Sequence, residues 1–320
     1  MSSPFEKGGL RGIFLKALVT GTTGFLGGAL AHRLAQEGFE VTEFRRNLSF
    51  EEIKRLVDRQ DYVFHCAALT KAYGRYQDFY DSNVLLTRSL IKACLGTKLR
   101  RFVHISTPSI YMTHKARLNI HEDDALPDKF INYYASTKKL AEDEVDSGSS
   151  QGLPCVTLRP QAIFGPGDKT LLPRLLKLAS RGVYPVIGHE PVILDLTYID
   201  NLVDACLLAA HRSRAIGLKI NITNGEPCNL EELLRKLFAL RGLVVKPVRI
   251  SYGVAYAMAQ SLESLWTMTA RKTEPPLTRY GVCALGRSRT LDIRRAQEVL
   301  GYSPVIPVQQ GLLRVASTQL

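Results

Sequence analysis

Tyr134 and Lys138 stand four residues apart in Tyr134-Ala135-Ser136-Thr137-Lys138, which puts a phenol and an ammonium on one face of a helix. A phenol with a pKa of about 10 is a poor base at neutral pH, and a neighbouring ammonium favours its phenolate form. In the reduction direction the same phenol donates its proton to a nascent alkoxide. Tyr133 has Thr137 four residues on, so only Tyr134 has the lysine in register. A hydroxyl to hold a substrate oxygen is offered by Ser106-Thr107-Pro108-Ser109, at the end of the preceding expected strand. Far upstream, Gly21-Thr22-Thr23-Gly24-Phe25-Leu26-Gly27 follows the apolar run Leu15-Lys16-Ala17-Leu18-Val19-Thr20. This reads as a strand entering a glycine turn and then a helix, the layout that seats a dinucleotide pyrophosphate on helix N–H groups. Gly21 lets the strand turn, Gly24 lets backbone approach the phosphates, and Gly27 lets the helix pack on the sheet. In this order the two motifs indicate a nicotinamide-dependent enzyme.

The end of the second strand faces the adenosine ribose, where an acid binds two hydroxyls and an arginine binds a 2′-phosphate. Arg45 and Arg46 stand there, which favours NADP(H) and leaves NAD(H) as the other choice. Glu43 shares a face with Arg45 by strand alternation and is read as solvated. None of the 7 histidines recurs at the spacing of a helical zinc pair, so no metal site is expected. His65 and His104 read as satisfied core residues, and His114 and His121 as candidates to line the substrate mouth. No glycine-flanked nucleophilic serine or paired catalytic carboxylates support a hydrolase.

These groups need a sheet to position them, and the chain supplies one. Strands are expected at 39–44, 62–68, 101–106 and 155–159, alternating with helices at 25–37, from Ser49, at 79–95 and at 134–145. Such alternation means a parallel sheet covered on both faces, an α/β Rossmann-type doubly wound fold. After 164 the pattern loosens into a turn at Gly165-Pro166-Gly167, a basic helix at 171–181 and a strand at 219–223. The expected plan is a loose leader at 1–13, an NAD(P)-binding domain at 14–165 and a smaller substrate-binding lobe at 166–320. Segments near 192–224 return to the main sheet.

Composition narrows the classes further. The 320 residues are 45% hydrophobic and 22% charged, ordinary globular values. A net charge of +12 with scattered Lys and Arg and no aromatic-interleaved basic stripe suits an anionic cofactor or lipid headgroups, not nucleic acid. The 6 cysteines form no CxxC pair, so reduced thiols in a cytoplasmic protein are expected. No apolar run reaches the roughly 18 residues of a membrane span. At 252–269, Met258, Leu262, Leu265 and Trp266 fall on one helical stripe. That stripe either packs on the lobe's own core or forms an apolar lid touching the inner face of a membrane, with Arg271 and Lys272 near headgroups.

The chain resembles the extended short-chain dehydrogenases/reductases of the NAD-dependent epimerase/dehydratase superfamily. The matching residues are the glycine turn, His65-Cys66-Ala67-Ala68, Asn83, Thr107, the Tyr134/Lys138 pair and Arg159-Pro160. Within that superfamily it is most similar to the 3β-hydroxysteroid dehydrogenase branch, with its sterol-4-carboxylate dehydrogenases and 2-alkyl-3-oxoalkanoate reductases. The stretches that carry this are Arg159-Pro160-Gln161-Ala162-Ile163-Phe164-Gly165, Leu196-Thr197-Tyr198-Ile199-Asp200-Asn201 and Glu274-Pro275-Pro276-Leu277. The resemblance implies that Thr107 replaces the family's catalytic serine, that Tyr134 is the acid/base and that Lys138 binds the nicotinamide ribose. It implies cofactor contacts from Gly21, Thr23, Gly24, Phe25, Leu26 and Gly27, from Ala67, Ala68, Asn83 and Ser106, and from Pro160, Gln161, Ala162 and Ile163. Two departures stand out. The segment between Arg46 and Asp61 is short, leaving out a helix and most of the usual third strand. Where nucleotide-sugar members often carry Arg-x-Gly-Asp, this chain reads Gly286-Arg287-Ser288-Arg289.

The expected function is therefore the NADP(H)-dependent interconversion of a secondary alcohol and a ketone on a hydrophobic, sterol-like or 3-oxoacyl substrate. The alternatives are a nucleotide-sugar epimerase, dehydratase or reductase, and a non-catalytic module sensing NADP. A homodimer is left open.

Overall fold

Ala17, Leu18 and Val19 are all 0% exposed, because β1 (Lys16–Thr20) is apolar on both faces and lies inside a parallel sheet. β3 (Tyr62–His65), β4 (Arg101–Ile105) and β6 (Cys155–Pro160) are buried along their whole length for the same reason. With β2 (Glu40–Glu43) and β11 (Lys219–Ile222) at the edges, the strand order is β11-β6-β4-β3-β1-β2, every pair parallel. The computed structural model describes residues 15–45, 47–168, 173, 176, 179, 182–271 and 273–317. The expected leader at 1–13, Arg46, Lys272 and most of the basic helix at 171–181 lie outside the described residues.

Two helical layers cover the sheet. On one face Leu26, Leu30 and Leu34 of α1 (Phe25–Gln36) join Leu202, Ala205 and Cys206 of α6 (Ile199–His211) over Val19, Phe64 and Val103. On the other, α2 (Phe50–Val57), α4 (Leu86–Cys94) and α5 (Tyr133–Ser150) pack Ile53, Leu90, Ile91 and Val145 on Leu18, Val63 and Phe102. Ser49 starts α2 with a complete capping box to Glu52. The chain then passes directly to β3, so the sheet ends at β2 and the short segment contributes no outer strand. The expected helix at 79–95 begins earlier, as α3 (Tyr76–Phe79), and passes through a π-helical stretch at Tyr80–Leu85 into α4. α5 outruns its expected end because Gly148 packs directly on Ile91, where a Cβ would meet Cγ2 at 2.7 Å.

The later chain builds three small sheets and returns once to the large one. β7 (Ile163–Phe164) pairs with β10 (Thr197–Tyr198), and β8 (Val183–Ile187) pairs with β13 (Lys246–Ile250). β5 (Arg117–Ile120), β9 (Ile193–Leu194), β12 (Cys228–Asn229) and β14 (Arg289–Leu291) form the third, ordered β12-β9-β14-β5. α7 (Leu230–Leu240), α8 (Tyr252–Met268) and α9 (Arg279–Gly286) flank them.

The expected stripe on α8 is not its buried face. Ala255, Ala259 and Glu263 are the buried residues, since small side chains bring the helix close to Ile187 and Val282. Glu263 is tolerated there because it holds Arg279 at 2.6 Å. Met258 and Leu265 remain 49% and 47% exposed. Among the described residues no helix is long and apolar enough to cross a membrane.

Candidate active site

From β1 the chain leads to β2 on one side and β3 on the other, so a crevice opens beyond the carboxyl ends of β1 and β3. Gly21 turns the strand at φ 75, a left-handed conformation that only glycine adopts without strain. A Cβ there would stand 2.9 Å from the backbone of Ala67, and one on Gly27 would stand 2.2 Å from the Gly21 carbonyl oxygen. Gly24 is the N-cap of α1 and supplies no side-chain cap. The leading N–H groups of the helix are thus offered to a ligand, and their partial positive charge suits a pyrophosphate. Leu26 and Gly27 are buried beneath the turn while Thr23 and Gly24 are exposed and Phe25 lies between.

Around this cradle the expected contact residues have definite tasks. Ala67 N donates to Thr20 Oγ1 at 3.0 Å, which fixes the loop carrying Ala67 and Ala68 after β3. Asn83 is buried, accepts from Leu69 N at 2.7 Å and donates to Thr137 Oγ1 at 3.0 Å, tying that loop to α5. Pro160 ends β6, Gln161 is 3% exposed and Ala162 holds φ 40 before Ile163, a strained non-glycine turn of the kind found at ligand sites. At the end of β2, Arg45 is exposed. Glu43, expected to be merely solvated, instead accepts a hydrogen bond from Thr22 Oγ1 at 2.8 Å.

The proton-handling groups converge from β4 and α5. Asn132 caps α5 by accepting from Ala135 N at 3.0 Å, which sets the first turn holding Tyr134. The Tyr134 hydroxyl faces the Thr107 side chain. Thr107 Oγ1 donates to Ser109 Oγ at 3.0 Å, and Ser109 Oγ meets the Tyr280 hydroxyl at 2.9 Å. Ser106 is buried beside Glu142. Lys138 is 1% exposed and its Nζ donates to Ile105 O at 2.7 Å and to His104 Nε2 at 3.2 Å.

The electrostatics correct one expectation. Burial pushes the Tyr134 phenol above its ordinary pKa, Tyr280 adds to this, and only the Thr107 side chain opposes it. The Lys138 ammonium donates to the Ile105 carbonyl at 2.7 Å. Burial also pulls Lys138 down to about 8, against smaller opposing effects of Glu142 and Cys66. The Tyr134 phenol is therefore neutral at pH 7.

His65 and His104 are buried in their strands, and burial followed by Lys138 pushes His65 down to about 3. His114 lies against the lobe, 3.2 Å from the Tyr252 hydroxyl, and His121 sits in an ion cluster with Glu122 and Asp123. Tyr280 had no signal in the sequence: it comes from α9, far along the chain, and only folding brings it to Ser109. His104 was legible as a buried strand histidine but not as a partner of Lys138.

The model of the NAD dependent epimerase/dehydratase family matches residues 17–223. A 2-alkyl-3-oxoalkanoate reductase of Stenotrophomonas maltophilia is 34% identical over 95% of this chain and 99% of its own length. A decarboxylating sterol-4-alpha-carboxylate 3-dehydrogenase of Mus musculus is 28% identical over 95% of this chain and 90% of its own. Among solved structures, the UDP-glucuronic acid 4-epimerase of Bacillus cereus in complex with NAD superposes with a TM-score of 0.75 at 22% identity, over 94% of this chain and 97% of that one. That likeness is one of fold.

Proposed function

Since the chain belongs to the NAD dependent epimerase/dehydratase family, we propose that it is an NADP(H)-dependent oxidoreductase interconverting a secondary alcohol and a ketone on a hydrophobic substrate. The observation that carries this is the buried Lys138 one turn on from Tyr134, whose hydroxyl faces Thr107, together with the uncapped N-terminus of α1 after the glycine turn. The substrate class is supported by the relatives named for 3-oxoalkanoates and sterol carboxylates.

A nicotinamide cofactor, when bound here, would supply or take the hydride. Gly21, Gly24 and Gly27 clear the space for the pyrophosphate, and the first turn of α1 offers it N–H donors. Ala67, Ala68, Asn83 and Pro160 to Ile163 line the path to the reacting carbon. Thr107 orients the substrate oxygen and Tyr134 gives that oxygen its proton, so one C–H and one O–H bond form as the ketone becomes an alcohol. Lys138 would hold the ribose. Arg45 is exposed and makes no ion pair with a described residue, while Glu43 is engaged by Thr22. The exposed Arg45 guanidinium favours a 2′-phosphate over a free 2′-hydroxyl. Val254, Met258, Leu265 and Met268 form an exposed apolar stripe on α8, which supports contact with an apolar surface.

The test is oxidation of NADPH and NADH with a 2-alkyl-3-oxoalkanoate, a sterol ketone and UDP-glucuronic acid. Turnover of the first two with NADPH is expected, and turnover of the sugar nucleotide alone overturns the reading. Tyr134→Phe should lower kcat by about 10²- to 10⁴-fold while cofactor binding persists; full activity in that variant refutes the assigned proton donor.

A further inference from the structure

His65 of β3 and His104 of β4 are register partners in the sheet, both buried, with ring centroids 5.3 Å apart. Their polar hydrogens are met in opposite ways. Around His65 the bonds close. Ala67 N donates to Thr20 Oγ1 at 3.0 Å, and the Thr20 hydroxyl lies 2.8 Å from His65 Nδ1. Thr87 Oγ1 donates to Asn83 O at 2.6 Å, so its lone pair accepts from His65 Nε2 at 2.9 Å. Each nitrogen of His65 thus has a partner and a role. His104 has no such closure. Its Nε2 stands 3.2 Å from Lys138 Nζ, and Lys138 is an ammonium below about pH 8. An ammonium can only donate, so Nε2 accepts and the ring proton sits on Nδ1. That Nδ1 is buried with no hydrogen-bond partner. A buried N–H left unmet costs free energy that an apolar side chain of similar size does not. What the ring supplies against that cost is the lone pair it turns to Lys138.

An ammonium carries three hydrogens in tetrahedral directions. Ile105 O takes one at 2.7 Å and His104 Nε2 takes a second, so the third is fixed in direction. With one acceptor gone, the ammonium swings about the bond that remains. We propose that His104 is a positioning residue, which by accepting from Lys138 Nζ locks the ammonium and leaves its third hydrogen for a hydroxyl of the nicotinamide ribose. This inference rests on the oxidoreductase reading above. The other ionisable groups around Lys138 do not fill this role. Glu142, one turn further along α5, is bound by Arg159 at 2.8 and 2.6 Å. Cys66, in the loop after β3, is a thiol that burial pushes up to about 12. His65 is taken by its two threonines, and Tyr134 faces Thr107.

Wild type, His104→Leu and His104→Gln test it, the glutamine returning an acceptor near the place of Nε2. Calorimetry with NADPH and with 2′,5′-ADP, which has the phosphorylated adenosine but no nicotinamide ribose, separates positioning from packing. His104→Leu should weaken NADPH by about 10-fold or more and leave 2′,5′-ADP within about twofold, and His104→Gln should recover part of the loss. The melting temperature of His104→Leu should be at or above wild type, because the unmet Nδ1–H is gone. A second readout needs no cofactor: the ε-carbon resonance of labelled lysine follows the titration of Lys138. Its proton affinity should fall about 10-fold or more in His104→Leu, because the charged form loses an acceptor. Equal weakening of both ligands with a lowered melting temperature makes His104 a packing residue and overturns the inference. Unchanged NADPH affinity, or an unmoved Lys138 titration, overturns it too, and in all three cases the oxidoreductase reading stands. If the wild type binds no NADPH, that reading falls and takes the inference with it.

Discussion

At Lys138 two demands on one ammonium collide. The proposed role of holding a ribose requires the charge, yet Lys138 is 1% exposed and burial draws its pKa from 10.5 to about 8. Because the folded value lies below the unfolded one, the charge weakens the fold at every pH under about 8. That cost fades as pH rises from about 8 to 10.5, where the unfolded chain loses its proton too. For catalysis the consequence is a basic limb: kcat/KM for ketone reduction should hold below about pH 8 and decline above it as free-enzyme Lys138 deprotonates. A pH profile in which the limb is absent, or is unchanged in Lys138→Arg, would contradict this assignment. Tyr134 follows a different logic. Its raised pKa keeps it protonated, as the proposed role of proton donor requires, and it faces a hydroxyl chain of Thr107, Ser109 and Tyr280.

Among the elements, the junction of β1 and α1 is the most constrained. The helix reaches the sheet only because Gly27 has no side chain, since a Cβ would lie 2.2 Å from the Gly21 carbonyl oxygen. Gly27→Ala should therefore push α1 outward, costing about 1–3 kcal/mol of stability. Cofactor binding should weaken by an order of magnitude or more, because the N–H groups at the helix start move off the phosphates. Urea denaturation and a fluorescence titration with NADPH measure the two effects, and an unaltered affinity would show that the turn is not the phosphate cradle. α8 gives the opposite lesson. Its apolar residues are plentiful enough that periodicity alone picks a stripe, but close packing selected the small side chains Ala255 and Ala259 for the inner face.

Across the whole molecule, one buried ion pair joins the sheet to the helix that carries the proton donor. Arg159 of β6 and Glu142 of α5 meet at 2.8 and 2.6 Å, and the same guanidinium contacts the Tyr111 hydroxyl and Glu122 O. Arg159 outweighs the burial that would raise the Glu142 carboxyl and holds it below its ordinary range. Arg159→Leu should cost about 3–5 kcal/mol in chemical denaturation, because it strands a buried carboxylate; a loss under 1 kcal/mol would mean that water or another cation replaces it. What the sequence determined by itself is what local pattern can encode. The alternating strands and helices, the glycine turn, the Tyr134/Lys138 register and the return of 219–223 to the sheet all depend on near neighbours or on apolar periodicity. Tertiary structure alone decided the aim of the polar groups. Lys138 turns to Ile105 and His104, Glu43 to Thr22, Tyr280 to Ser109, and Arg289 to no partner among the described residues. Hydrogen bonds and charges act over a few ångströms in space, and the groups they join here lie tens to hundreds of residues apart along the chain.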